Sequence, residues 1–163
     1  MKLIKPSFLI KEQEPELIGI YRQIEYAGRI CYKSSNKITP DSSKEFVDRM
    51  IKSGHGAMLE HGTVYLKITY KDTNFTTLCM FYGKNKYSVL NHSEDNNIYY
   101  ITTNYRVLVE NNHLSDLKYL CEPTEFHEKR ITVHFVCDRG VSHEFVRHRV
   151  FSFAQESTRQ WRH

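Results

Sequence analysis

The stretch richest in groups able to do chemistry is Arg147-His148-Arg149-Val150-Phe151-Ser152-Phe153-Ala154-Gln155-Glu156-Ser157-Thr158-Arg159. Three adjacent cations repel one another and are a poor choice for stability alone. At the end of a helix starting near Ser142 they lie by its negative pole, which offsets part of that cost. The following Ser-x-x-Gln-Glu-Ser-Thr-Arg offers hydroxyls, an amide and a further guanidinium, a donor set suited to a nucleotide phosphate. From Arg139 onward there are five arginines, no lysine and two acids, Glu144 and Glu156, so three of the four net positive charges lie there. A cluster built from arginine alone points to planar, multidentate anion recognition. A solvated helix end or a nucleic-acid patch are the alternatives that composition leaves open.

Other constellations are weaker. His143-Glu144-Phe145-Val146-Arg147-His148 resembles a zinc-protease helix, but its histidines are five apart, about 140° round a helix, and cannot chelate one metal together. Cys31, Cys79, Cys121 and Cys137 show no C-x-x-C spacing. They read as free thiols, packed as small hydrophobes rather than poised as nucleophiles.

Elements must position these groups. Leu17, Ile20, Tyr21, Ile24, Ala27, Gly28 and Cys31 form a helical stripe beginning after Pro15. A second helix is predicted over 42–53, with Asp41 or Ser42 capping its start and Gly54 its end. Val64, Leu66, Ile68 and Tyr70 alternate with polar neighbours as in a half-buried strand, and Ile131, Val133, Phe135 and Cys137 repeat the pattern. The β-branched and aromatic run 98–109 predicts another extended segment. Leu114, Leu117 and Leu120 suggest a short helix stopped by Pro123. The polar stretch 71–97 reads as a surface excursion. Helices and strands mix without βαβ regularity, so the fold class is α+β, an antiparallel sheet flanked by helices. The 163 residues suit one domain, with no apolar run of membrane-spanning length and no signal peptide, which makes the cytoplasm the expected compartment.

Three ordered segments resemble the flavin-dependent thymidylate synthases. Arg147-His148-Arg149, seven residues and Ser157 match that family's R-H-R-x7-S motif, with Arg159 as the arginine that follows. Ser53-Gly54-His55-Gly56-Ala57-Met58-Leu59-Glu60-His61 resembles its G-H-x-x-x-x-E-H segment. Ala27-Gly28-Arg29-Ile30-Cys31-Tyr32 resembles its early A-x-R-x-C-Y helix end. The resemblance implies a fold like that of the thymidylate synthase-complementing proteins, over 1–163, with an insertion at about 71–130.

The resemblance further implies an FAD-dependent methyltransferase converting dUMP to dTMP, with methylenetetrahydrofolate as one-carbon donor and NADPH reducing FAD. Arg147, His148 and Arg149 would contact the flavin, with Arg147 also near the nucleotide. Ser157 and Arg159 would hold the dUMP phosphate, helped by backbone donors of Glu156 and Thr158. Glu144 would sit beside the pyrimidine and Gln155 between flavin and nucleotide. Ala57 stands where members often have Thr or Ser, so its flavin contact would be through backbone. His55 and His61 could line the flavin pocket, and Cys31 would be flavin-proximal without acting as a nucleophile; no protein nucleophile is required. No metal is implied. Family sites are shared across a homotetramer. The family continues beyond Arg159 with a segment carrying a uracil-polarising arginine, whereas Gln160-Trp161-Arg162-His163 follows here. On that ground the domain reads as C-terminally short, with Arg106 or Arg130 as the arginines able to substitute. The alternative reading is a catalytically impaired nucleotide- or nucleic-acid-binding module using the arginine-rich C-terminus.

Overall fold

The computed structural model describes residues 5–93, 97–148 and 151–157. Its centre is a three-stranded antiparallel sheet of order β2 (Thr63–Thr69), β4 (Ile98–Asn104), β3 (Val89–Ser93). Register runs from Thr63 opposite Asn104 to Thr69 opposite Ile98. Val64, Leu66, Ile68 and Ile101 are buried against Ile20 and Ile24 of α1 (Glu16–Cys31) and Phe46, Val47 and Met50 of α2 (Ser42–Lys52) in one core cluster. The helices follow their apolar stripes. Gly54, at φ +70°, turns the chain out of α2 in the left-handed region that glycine adopts without strain. Asp41 makes no side-chain cap, and it is Ser42 whose Oγ accepts the Thr39 N–H (2.9 Å).

A second sheet pairs β1 (Ser7–Lys11) with β5 (Thr132–Val136). It is tied to α1 by the Tyr26 hydroxyl against His134 Nδ1 (2.7 Å). The antiparallel α+β class expected from patterning holds, divided between two sheets.

Several local expectations change. β2 is not half-buried over its first residues: Thr63, Val64, Tyr65 and Leu66 are all buried. Its outer edge is bridged by the chain at Leu120 and Cys121, whose N–H donates to the Tyr65 carbonyl (3.0 Å), and His127 meets the Tyr65 ring edge-on. The run 98–109 is half strand and half helix, because the Asn104 side chain accepts the Val107 N–H (3.0 Å) and starts α5 (Tyr105–Glu110). The supposed excursion 71–97 carries α4 (Phe75–Leu78), a π-turn Cys79–Gly83 and β3, and it buries Leu78 and Tyr82 in the core. Residues 114–119 form a 3-10 turn. β5, expected half-buried, leaves Phe135 48% exposed, with Ile131 just before it at 71%.

Candidate functional site

α6 (Arg139–Phe145) carries the expected cation cluster to its place. It begins three residues before the expected Ser142, because the Asp138 carboxylate accepts the Val141 N–H (3.0 Å) as an N-cap. It closes at Phe145, so Arg147 and His148 stand just past its negative end, where their charges are best accommodated. The His148 N–H donates to the Phe145 carbonyl (3.0 Å). Arg147 is 74% exposed and lies 3.3 Å from Glu144. A surface pair of this kind contributes only about 0–1 kcal/mol, so both groups can exchange it for a ligand. Gly140, Val141, Glu144, Phe145 and His148 line an open depression of about 370 Å³. Arg149, Thr158 and Arg159 lie outside the described residues.

Beyond Phe151 the chain runs in neither helix nor strand, back across the start of the fold. The Ser157 N–H donates to the carbonyl of Cys31 at the end of α1 (3.1 Å). Glu156 pairs with Lys33 (2.7 Å). Ser152 Oγ donates to Glu60 (2.8 Å), just after α3 (Gly56–Leu59), and the neighbouring His61 lies against the backbone of Phe153. Gln155 Nε2 donates to Ser142 Oγ (2.7 Å), closing the loop onto α6. The other two segments also meet: the Tyr32 ring stacks on His55 (25° between planes), and its hydroxyl lies 2.7 Å from His55 Nδ1. Segments near residues 30, 58 and 152 therefore join at one place.

Burial sets the electrostatics where these segments join. Burial lowers the His61 pKa below its usual 6.5, against weaker opposing effects of the Phe153 backbone and Glu60, so the ring is neutral at pH 7. Its Nε2 is buried without a hydrogen-bond partner among the described residues. Burial also raises the Cys31 thiol, which makes it a poor nucleophile. Ala57 sits in the first turn of α3, close to the open backbone at Gly54, where an added Cβ would meet no described atom within 4 Å.

The family model of the thymidylate synthase complementing proteins matches residues 73–161, more than half of the chain. The chain belongs to this family. These are the flavin-dependent thymidylate synthases, and of the three resembling segments the one from Arg147 to Arg159 lies within the match. No individual curated protein and no solved structure matches it. The match runs through the stretch 71–130 expected as an insertion, which supplies β3, β4 and α5.

For a thymidylate synthase complementing protein, the structure brings together most of the residues that sequence reasoning singled out. Glu144 lies on α6, Arg147 and His148 just past it, and Gln155, Glu156 and Ser157 on the returning loop, with Ala57, His55 and His61 on the facing segment. The Ser157 N–H is used on the Cys31 carbonyl, while the backbone donors expected at the phosphate were those of Glu156 and Thr158. Arg106 and Arg130, named as possible uracil partners, have other engagements: Arg106 bonds Glu60 and Glu110, and Arg130 donates to the Tyr87 carbonyl (2.8 Å). Sequence reasoning gave no role to Tyr32, Lys33, Glu60 or Ser152. Glu60 and Tyr32 stood in two of the motifs and Ser152 in the donor-rich run, but what these residues and Lys33 do is set by partners 23 to 123 positions away.

Proposed function

We propose that the chain binds FAD and dUMP where the three segments converge and makes dTMP from dUMP with methylenetetrahydrofolate, NADPH reducing the flavin. The observation that carries this reading is the convergence: a cation pair past a helix end, stacked Tyr32 and His55, and open glycine backbone share one edge of the fold. The residues fit the cofactor. Tyr32 and His55 offer a planar apolar surface, Arg147 and His148 offer charge for a diphosphate, and Ala57 offers backbone only. When bound, FAD would supply the hydride that completes the methyl group.

The remaining work falls to protein groups. Arg147, His148 and Arg149 hold the flavin's anionic and polar edges. Glu144 and Gln155 orient the pyrimidine, while Ser157, Thr158 and Arg159 grip the nucleotide phosphate with Glu156 beside them. Arginine is the apt residue, since its planar fork meets phosphate oxygens in pairs. Neutral His61 keeps a second cation out of the pocket wall. No cysteine serves as nucleophile.

The site is shared between subunits of a homotetramer in the cytoplasm. Support comes from the apolar side chains of β1, β5 and α6: Phe8, Ile10, Phe135, Val141 and Phe145 are all more than a third exposed, with the Phe135 ring beside those of Phe8 and Phe145. A soluble monomer rarely displays so contiguous an apolar surface. No helix among the described residues is long and apolar enough to cross a membrane. The test is release of tritium from C5-labelled dUMP with FAD, NADPH and methylenetetrahydrofolate supplied. Release that requires all three and is lost in Arg147→Ala supports the reading; flavin-independent release, or none at any protein concentration, counts against it.

A further inference from the structure

Arg106 sits in α5, within the stretch 71–130 and outside all three motif segments. Its Nε donates to Glu110 (2.7 Å) and its Nη1 to Glu60 (2.5 Å). The second carboxylate oxygen of Glu60 accepts Ser152 Oγ (2.8 Å). A continuous chain of charge-assisted bonds thus runs from α5, through the end of the G-H segment, to the loop after Arg147-His148. The guanidinium also lies on the backbone of α3. A Cβ at Gly56 would stand 2.9 Å from Arg106 Nε and 3.0 Å from Glu110, so a larger residue there would make the ion pair shift.

α5 is itself firmly seated. Tyr105 N–H donates to the Gly62 carbonyl (2.8 Å), and Val107 and Leu108 are buried. Tyr105 also meets Tyr21 edge-on, hydroxyl to hydroxyl at 3.2 Å. Glu60 and Glu110 are like charges held by one cation. Remove it, and their repulsion frees Glu60 from its place. A lysine would keep the charge, but as a single point it could not span two carboxylates in the same plane.

We propose that Arg106 is a positioning residue, acting through Glu60 and Ser152 to fix the returning loop 151–157 against α3 and α1. The stretch 71–130 thereby serves the site without touching a ligand. The consequence for FAD rests on the function proposed above; the consequence for the loop does not.

The test uses the full chain and two readouts. Hydrogen exchange at the Ser157 amide, which donates to Cys31, reports loop position with no ligand present. In Arg106→Gln and Glu60→Gln it speeds about tenfold, the factor for one lost contact of roughly 1.4 kcal/mol. Ser152→Ala does the same while leaving the thermal midpoint unchanged, since it touches only the last link. The double variant Arg106→Gln/Ser152→Ala exchanges no faster than either single one, because both cut one path. Arg106→Lys recovers part of the protection. FAD affinity, read by flavin fluorescence, falls in the same order. Unchanged Ser157 exchange in both Glu60→Gln and Ser152→Ala overturns the proposal, whether or not Arg106→Gln folds. A wild-type chain that binds no FAD while exchange responds as stated upholds the positioning role and counts against the flavin reading.

Discussion

The half of the molecule built on β2, β4 and β3 and the half built on β1, β5 and α6 are made of similar residues in opposite circumstances. In the first, Leu66, Ile101, Val64 and Leu108 are fully buried, and Arg29 and Glu25 are enclosed with their charges paired. In the second, Phe8, Ile10 and Phe135 face outward. Apolar alternation therefore specifies a strand equally well in both, but among the described residues only the first has the surface that covers it. The three motif segments meet near the join of the two halves. Under the proposed assembly, a site there would have one wall fixed by the core and another that association completes.

The largest effect is expected in the closed half. Glu25 accepts Arg29 Nε and Nη2 (3.0 and 2.9 Å) and Ser42 Oγ (2.9 Å), with the guanidinium over the Phe46 ring. Glu25→Gln strands a buried cation, and chemical denaturation should show a loss of about 3–5 kcal/mol. Arg29 is the arginine of the early motif, so its geometry assigns it to joining α1 with α2.

In the open half the same kind of change should separate folding from assembly. Phe135→Ser is expected to alter unfolding of the subunit by no more than about 1 kcal/mol, because the side chain already meets water. Light scattering should instead show a smaller species at equal concentration. A wild-type chain that is monomeric at micromolar concentration removes the basis for treating this half as incomplete.

The smallest effect is pH dependence. His127 is buried with Nδ1 accepting the Thr124 N–H (3.0 Å) and Nε2 3.1 Å from the Leu66 carbonyl, an arrangement for the neutral ring. Burial lowers its pKa below 6.5, opposed by the Leu66 backbone. The unfolded chain then binds the proton more readily, so stability is full above about pH 6.5 and declines as pH falls below it. His61, lowered by the same cause, adds with the same sign. The thermal midpoint should fall from about pH 7 to about pH 5, and His127→Gln should flatten part of that slope.

How much of this was legible depended on what each feature answers to. α1, α2 and β2 follow from spacing, since each has a face repeating at the period of its own element. α5 did not, because Tyr105, Val107 and Val109 favour strands and one capping side chain, Asn104, decides the matter. β5 read as half-buried because alternation cannot say what will cover it. At the site, residue types and motif order gave Arg147, His148, Glu144 and Gln155 a common neighbourhood. They could not give the joining contacts, because Lys33 with Glu156 and Glu60 with Ser152 are pairs fixed only by the fold. Arg106 was named only as a possible uracil partner, and nothing local marked its pairing with Glu60.

The most direct measurement for the convergence of the three segments is a fluorescence titration of FAD into the purified full chain, with and without dUMP. Saturable quenching of flavin emission is expected, weakened about tenfold or more in Arg147→Ala and strengthened by dUMP, since both ligands share one edge. A signal that grows linearly with FAD, indifferent to dUMP and to Arg147, would contradict a common flavin and nucleotide site there.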